Sequence, residues 1–217
     1  MERTIAVKGT GRVSVPPDQV EIPITLSAAD PDYEKTMERG AEQQAALKAA
    51  LLPLGFAAED LKTVSFQVNT HYENQEDERG RWQQVFVGYL CTQECRIRFD
   101  LDTGFLASVV SALAGCSAHP DFHIRFTVKD PEVVKAALLR DAAENARQKA
   151  EILCDAAGVG LGELRHVNYS WNGANLYSAS NVMLEEAPAM AKRAVALDFQ
   201  PEDVRAEDSV TFIWNIL

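Results

Sequence analysis

The residues best suited to chemistry lie in one short segment that holds Cys116, His119 and His123. A thiol beside an imidazole is the pair that nucleophilic cysteine catalysis needs, because the imidazole takes the proton that the thiol loses. The same three residues could also supply metal ligands from a turn. A structural zinc site needs four ligands, normally with paired Cys-x2-Cys steps, and the segment lacks these. We expect no catalytic residues and no cofactor, and we keep an enzyme or metal-binding protein built on this cluster as the alternative function.

Two glycine-rich stretches lack the setting that phosphate binding requires. Gly9-Thr10-Gly11 follows a predicted strand, but another strand comes next, so no helix N-terminus is available for a pyrophosphate. The stretch from Gly158 to Gly162 ends a helix and precedes a strand. We interpret both stretches as turns. Ser108 and Ser111 lie within a predicted helix, not on the strand-to-helix turn of a serine nucleophile.

The elements that must position these residues follow from hydrophobic periodicity and from caps. Alternating apolar residues predict strands over residues 4–8, 19–28, 61–72, 82–99, 122–128, 164–169 and 209–217. Helices are predicted over residues 30–52, 105–114 and 130–157. Residues 73–81 are polar and predict an exposed hairpin tip. Residues 173–206 are predicted to be irregular, with one strand near residues 192–197.

The segments 20–72 and 122–171 share the order strand, Asp-Pro cap, helix, glycine stop, strand. Asp30-Pro31 and Asp130-Pro131 supply the caps, and a Gly-x5-Leu-(Lys/Arg)-x-Val-x-(Phe/Tyr) pattern closes each unit. We interpret this as an internal duplication, although such caps and stops are also common in unrepeated α/β proteins. Each unit then leaves a gap between two parallel strands that an antiparallel strand can fill.

The predicted fold class is α+β, with a mixed, mainly antiparallel sheet or sheets, helices on one face, and a duplicated strand-helix-strand unit. Residues 1–217 are expected to form a single domain. The helix over residues 130–157 carries a stripe of small residues that includes Ala142, Ala146 and Ala150. Such a stripe permits close approach to a sheet, which we favour, or to another subunit.

Composition narrows the classes of partner and compartment. The 217 residues include 32 acidic and 21 basic side chains, and the formal net charge of −11 repels nucleic acid and anionic membrane surfaces. No apolar core of a secretory signal follows Met1, so we expect a cytoplasmic protein. The four cysteines do not resemble a disulfide framework, and we expect buried free thiols.

The order of motifs resembles that of the SIMPL-domain family, the group that includes the bacterial periplasmic immunogenic proteins. The residues that carry the resemblance span nearly the whole chain: Val7, Gly9, Gly11, Val13, Pro17 and Asp18; Leu54-Gly55, Asp60-Leu61 and Thr63; Tyr72 and Tyr89; Ala142, Ala143, Ala146, Ala150, Gly158 and Leu161-Gly162; and Pro201 to Val204. The resemblance implies an α+β fold and, for some members, large ring-like oligomers. Roles in tolerance of oxidative stress and in kinase signalling are ascribed to the family, and no catalytic residues can be carried over.

These observations favour a non-enzymatic protein that self-assembles or binds another protein, through strand edges or the alanine-rich helix. We therefore expect a homo-oligomer, with a protein partner as a further possibility and with no nucleic acid or membrane as partner. A third hypothesis is a small-ligand binder in a groove between the two repeated units.

Overall fold

The computed structural model describes residues 3–76, 80–170, 175–183 and 200–217. These residues contain eight strands and three α-helices, with a short 3-10 turn after α1. In chain order the elements are β1 (Thr4–Val15), β2 (Gln19–Asp30), α1 (Tyr33–Leu51), β3 (Lys62–Glu76), β4 (Trp82–Asp100), α2 (Thr103–Ala114), β5 (Asp121–Thr127), α3 (Pro131–Ala157), β6 (Leu161–Asn168), β7 (Tyr177–Met183) and β8 (Val204–Ile216).

The strands form two sheets with the orders β1-β8-β6 and β3-β4-β2-β5-β7. The pairs β1/β8, β6/β8, β2/β4 and β3/β4 are all antiparallel. The predicted α+β class with mainly antiparallel sheets is confirmed. The chain divides into two compact units, one made of residues 1–18, 126–180 and 201–217 and the other of residues 19–125 and 181–200. We call them the first unit and the second unit. The expectation of a single domain over residues 1–217 stays a prediction.

In the first unit, α3 packs closely on the sheet that contains β1. Ala142, Ala146 and Ala150 are completely buried, so the alanine stripe packs within the chain. An added Cβ at Gly9 would lie 1.9 Å from the Ala142 carbonyl oxygen, and one at Gly11 would lie 2.0 Å from that of Leu138. The interpretation of Gly9-Thr10-Gly11 as a turn is therefore wrong. These glycines lie inside β1 because only a residue without a side chain lets the α3 backbone come so near.

The helix boundaries follow the predicted caps with one correction. Asp130 caps α3 and Gly158 ends it in the left-handed conformation, as predicted. Asp102 caps α2 in the same way. The cap of α1, however, is Asp32 and not Asp30. Asp30 still pairs with β4 as the last residue of β2, and its carboxylate accepts the Asp32 backbone N–H instead of a helical one.

The segment 20–72 forms the split arrangement that its pattern predicts. Strands β2 and β3 are both antiparallel to β4, which lies between them, so they run parallel to each other and are joined by α1. In the segment 122–171, β5 and β6 belong to different sheets. The described residues therefore do not form two similar halves that share one sheet. Strand β6 pairs with β8 in the three-stranded sheet instead. Residue 171 lies outside the described residues, and descent from a duplication stays a prediction.

Several strands are longer than predicted because pairing partners continue beyond the alternating core residues. β1 runs to Val15 and β8 begins at Val204. The hairpin of β3 and β4 is ordered to Glu76 and from Trp82, within the predicted polar tip. β7 lies inside the segment 173–206 that was predicted to be mostly irregular, and the strand predicted near residues 192–197 lies outside the described residues.

The core of the second unit lies between its sheet and α1. Strand β2 contributes one apolar face, and α1 contributes Leu47 and Leu51, all of them almost completely buried. Gly40 of α1 lies over strand β4, since an added Cβ would be 3.0 Å from the sulfur of Cys91. The buried residues of this face of β2 are Val20, Ile22, Ile24, Leu26 and Ala28.

We expect Gly9→Ala and Gly11→Ala each to lower the free energy of unfolding by about 1–3 kcal/mol, since the new methyl group overlaps backbone atoms of α3. Gly104→Ala is the matched control. It lies in the first turn of α2, where the nearest atom is a side-chain oxygen at 3.3 Å, and the loss of glycine's freedom should leave stability unchanged or raised. Chemical denaturation of the three variants measures the difference, and equal stability of Gly9→Ala and the parent would contradict the close packing.

Candidate functional site

The residues of the predicted Cys/His cluster lie at different points of the segment that runs from the end of α2 to β5. Cys116 is buried just after α2, His119 is exposed in the following turn with φ of 47°, and His123 lies half-buried on β5. No group of three or more His, Cys, Asp or Glu side chains among the described residues could hold a metal ion. Within this segment the His119 backbone N–H donates to the Cys116 carbonyl at 3.0 Å.

The other cysteines are also buried in the protein interior. Cys91 and Cys95 lie on β4, and all four cysteines are buried and free, as expected. Burial raises the pKa of the Cys91 thiol and, despite hydrogen bonds from Thr63 and Gln93, that of Cys95. A raised pKa removes the thiolate that nucleophilic or redox chemistry requires.

A charged network occupies the face of the second unit's sheet that points away from α1. Arg96 and Arg98 lie on that face, because side chains alternate along β4 and Cys91 faces α1. Arg98 donates from Nε to the Glu21 carboxylate at 2.7 Å, and Arg96 Nη1 lies 3.7 Å from the same oxygen. The Glu21 side chain is only 3% exposed. This network satisfies a buried carboxylate, which explains why an acidic residue stands within an apolar strand.

His123 belongs to the surroundings of this network. Burial, reinforced by the nearby Arg125 guanidinium, lowers the pKa of His123 below its usual 6.5, and the charges of Asp121 and Glu21 only partly oppose the shift. The folded environment therefore favours the neutral form of the His123 imidazole.

A cavity of about 380 Å³ lies beside α1 and the end of β2. Its polar lining includes Arg39 and Gln43, which are already engaged with the backbone. Gln43 Nε2 donates to the Ser27 carbonyl at 3.0 Å, and Arg39 Nη1 donates to the Ala29 carbonyl at 2.9 Å. These two donor groups cap carbonyl groups of β2, whereas the buried Oε1 of Gln43 has no hydrogen-bond partner among the described residues.

The outer edge of β1 is capped in the same manner by α3. Asn145 Oδ1 accepts the Thr10 backbone N–H at 3.1 Å, and Asp141 Oδ2 accepts that of Arg12 at 2.8 Å. Lys149 Nζ donates to the Lys8 carbonyl at 3.2 Å. A strand edge whose donors and acceptors are already bonded cannot pair with another strand.

Strand β3 is an edge strand without such caps. It forms one edge of the five-stranded sheet and is fifteen residues long, with most of its residues exposed. Within the described part of the chain, no side chain of a helix bonds to its backbone. Val64 and Phe66 are large apolar residues at this edge, and Phe66 is 50% exposed. A long, uncapped and partly apolar edge is the arrangement that pairs with another strand.

A row of aromatic rings continues this edge along the hairpin. Tyr72 contacts Phe86, Phe86 contacts Tyr89, and Tyr89 contacts Tyr33, each edge-to-face with ring centroids 5.4–5.6 Å apart. Tyr72 is 51% exposed and ends the row on β3. Exposed aromatic side chains that are held in place by their neighbours lose little entropy when a partner covers them.

Strand β6 is a second edge, in the sheet of the first unit. It is eight residues long, and Leu164 is 50% exposed there. The amino-acid sequence indicates strand edges as surfaces for association but not which of these edges lack caps. The alternation of Val64, Phe66 and Val68 was visible, whereas the caps on β1 depend on contacts between residues more than 120 positions apart.

The described residues form an α+β protein with a long, mostly exposed strand at one edge of a sheet. It belongs to the SIMPL family, whose model, described as "Protein of unknown function (DUF541)", matches residues 5–214. The family that the motifs resemble is thereby confirmed. None of the described helices has both the length and the apolar character needed to cross a bilayer.

Relatives with a name include the 26 kDa periplasmic immunogenic proteins of Brucella melitensis biotype 1 and of Brucella abortus (strain S19). Each is 21% identical to this chain over 164 residues, which are 76% of this chain. The match covers 65% of each relative, slightly less than two thirds of its length.

We expect His123 to contribute to the loss of stability in acid. Because its pKa is lowered in the folded state, the unfolded chain binds the proton first as the pH falls below 6.5. Folding therefore becomes less favourable as the pH falls from 6.5 to the lowered pKa that His123 has in the folded protein. The variant His123→Gln should show a smaller fall in Tm between pH 7.5 and pH 5 than the parent. His119→Asn, at the exposed turn, should behave like the parent, and an unchanged pH dependence in His123→Gln would contradict the assignment.

Proposed function

We propose that this chain is a non-enzymatic self-assembling protein and that its main assembly contact is the edge of β3. The observation that carries the proposal is the contrast between edges. Side chains of α3 bond to the backbone at the edge of β1, and side chains of α1 bond to the end of β2. Among the described residues, no helix side chain bonds to the backbone of β3. This strand is nevertheless longer than β1 and β2, and it exposes apolar side chains.

The exposed rings next to this edge support the same proposal. Pairing of a second strand with β3 would cover Phe66 and Tyr72, which are each about half exposed. Removing apolar surface from water favours association, and the main-chain hydrogen bonds of the new strand pair set its orientation. Association through the alanine stripe of α3 is not proposed, since those alanines are buried against β1.

A contribution to stress tolerance, which the resemblance implies, would have to act through assembly. All four cysteines are buried, and the thiols of Cys91 and Cys95 have raised pKa values. A buried thiol of this kind reacts slowly with oxidants, because the thiolate is the reactive form. We therefore propose no direct chemistry with oxidants.

We propose the cytoplasm as the compartment, although the named Brucella relatives are called periplasmic. Four cysteines without a disulfide are typical of a reducing compartment. Cell fractionation of the native host, with antibodies against this chain, tests the proposal. Recovery in the cytoplasmic fraction is expected, and recovery in a periplasmic or secreted fraction would contradict it.

The test of assembly is sedimentation velocity of the whole chain across micromolar concentrations. We expect a concentration-dependent oligomer in the parent and, in Phe66→Lys, association that is weaker by about tenfold or more, because a lysine at the edge disfavours strand pairing. Leu164→Lys is the matched control, since Leu164 is equally exposed but lies on β6. It should associate like the parent.

The outcomes separate the parts of the proposal. A strictly monomeric parent would refute self-assembly. Dissociation of Leu164→Lys together with an unaffected Phe66→Lys would place the contact on β6 and refute the assignment to β3. Thermal unfolding of both variants identifies any loss of association that results from unfolding.

A further inference from the structure

We infer that β3 pairs with β3 of a second copy of this chain, antiparallel and with Asn69 opposite Asn69 of the other copy. The inference rests on the proposed function and specifies its contact. Such a pair is isologous, so one two-fold axis relates the copies and every cross-strand contact occurs twice. The two five-stranded sheets then continue into each other across the axis.

The charges of β3 favour the antiparallel direction. The strand begins with Lys62 and ends with Glu73 and Glu76, and all three are exposed. Antiparallel pairing brings the basic end of one copy to the acidic end of the other. Parallel pairing would instead place glutamates opposite glutamates, which is unfavourable for like charges on neighbouring strands.

The aromatic side chains of Phe66 and Tyr72 favour one register of the two paired β3 strands. With Asn69 at the axis, the numbers of opposing residues sum to 138, so Phe66 stands opposite Tyr72 of the other copy. Directly opposed residues of antiparallel strands project to the same face, and an aromatic cross-strand pair is among the more stabilising ones. Tyr72 already contacts Phe86 with centroids 5.6 Å apart, so Phe66 of the other copy would extend the existing row of rings.

The backbone permits nine continuous pairs in this register. The irregularity near the start of β3 leaves Val64 without a partner on β4, and the one near its middle leaves Val87 of β4 without a partner. Residues 65–73 of β3 therefore contain no inserted residue of their own. A shift by two residues in either direction would place Phe66 opposite Thr70 or Asn74 and would lose the aromatic pair.

Cross-linking of single cysteines tests the register. Ser65 stands opposite Glu73 in the inferred pair, with Cβ atoms about 5 Å apart, whereas two copies of Ser65 are about 27 Å apart. A mixture of Ser65→Cys and Glu73→Cys proteins should cross-link with a short bis-maleimide, and each variant alone should not. The parent is the control for the four native cysteines, which are all buried.

The results of the cross-linking experiment distinguish the possible strand pairings. A cross-link that forms only when the two variants are mixed confirms the inferred pairing. Cross-linking of each variant alone shows parallel pairing and overturns it. An absence of any cross-link in protein that still sediments as an oligomer refutes this register while self-assembly stands, and a monomeric parent refutes the proposed function itself.

Charge reversal provides a second test that needs no cysteine. Lys62→Glu and Glu76→Lys should each weaken association about threefold to tenfold, because the end of one strand then meets like charge at the end of the other, twice per dimer. The double variant Lys62→Glu/Glu76→Lys should restore it. An equal or larger loss in the double variant would overturn the pairing of these two ends.

Discussion

The backbone groups at the edges of the two sheets need hydrogen-bond partners, and the packing of the helices on the sheets provides several of them. Each edge strand presents backbone donors and acceptors that need partners from the chain, from water or from another molecule. At β1 these partners are Asp141, Asn145 and Lys149 of α3, and at the end of β2 they are Arg39 and Gln43 of α1. The helices therefore cover a sheet face and also close an edge.

Closure of the β1 edge requires the close approach of α3. Gly9 and Gly11 allow this approach because a Cβ at either position would lie 1.9–2.0 Å from a helix carbonyl oxygen, far inside van der Waals contact. The buried alanines on the facing side of α3 serve the same purpose. Small residues on both elements thus bring Asp141 and Asn145 within reach of the β1 backbone.

Polar and reactive groups of the described residues are used for structure. The Glu21 carboxylate is paired with Arg98, the thiols are buried, and the lowered pKa of His123 follows from burial beside Arg125. The SIMPL family is described as one of unknown function. Strand β3 is a long and mostly exposed strand at one edge of the five-stranded sheet.

Elements with local signals can be predicted from the amino-acid sequence. Asp102 and Asp130 cap their helices, Gly158 ends α3, and alternation marks the strands, because caps and periodicity act over a few residues. Three features follow from tertiary contacts instead: Asp32 caps α1, the glycines of β1 face a helix, and β6 pairs with β8. These outcomes depend on pairing between distant segments, which no local pattern encodes. For the same reason, the sequence could name strand edges as the candidate site but not which edge is left open.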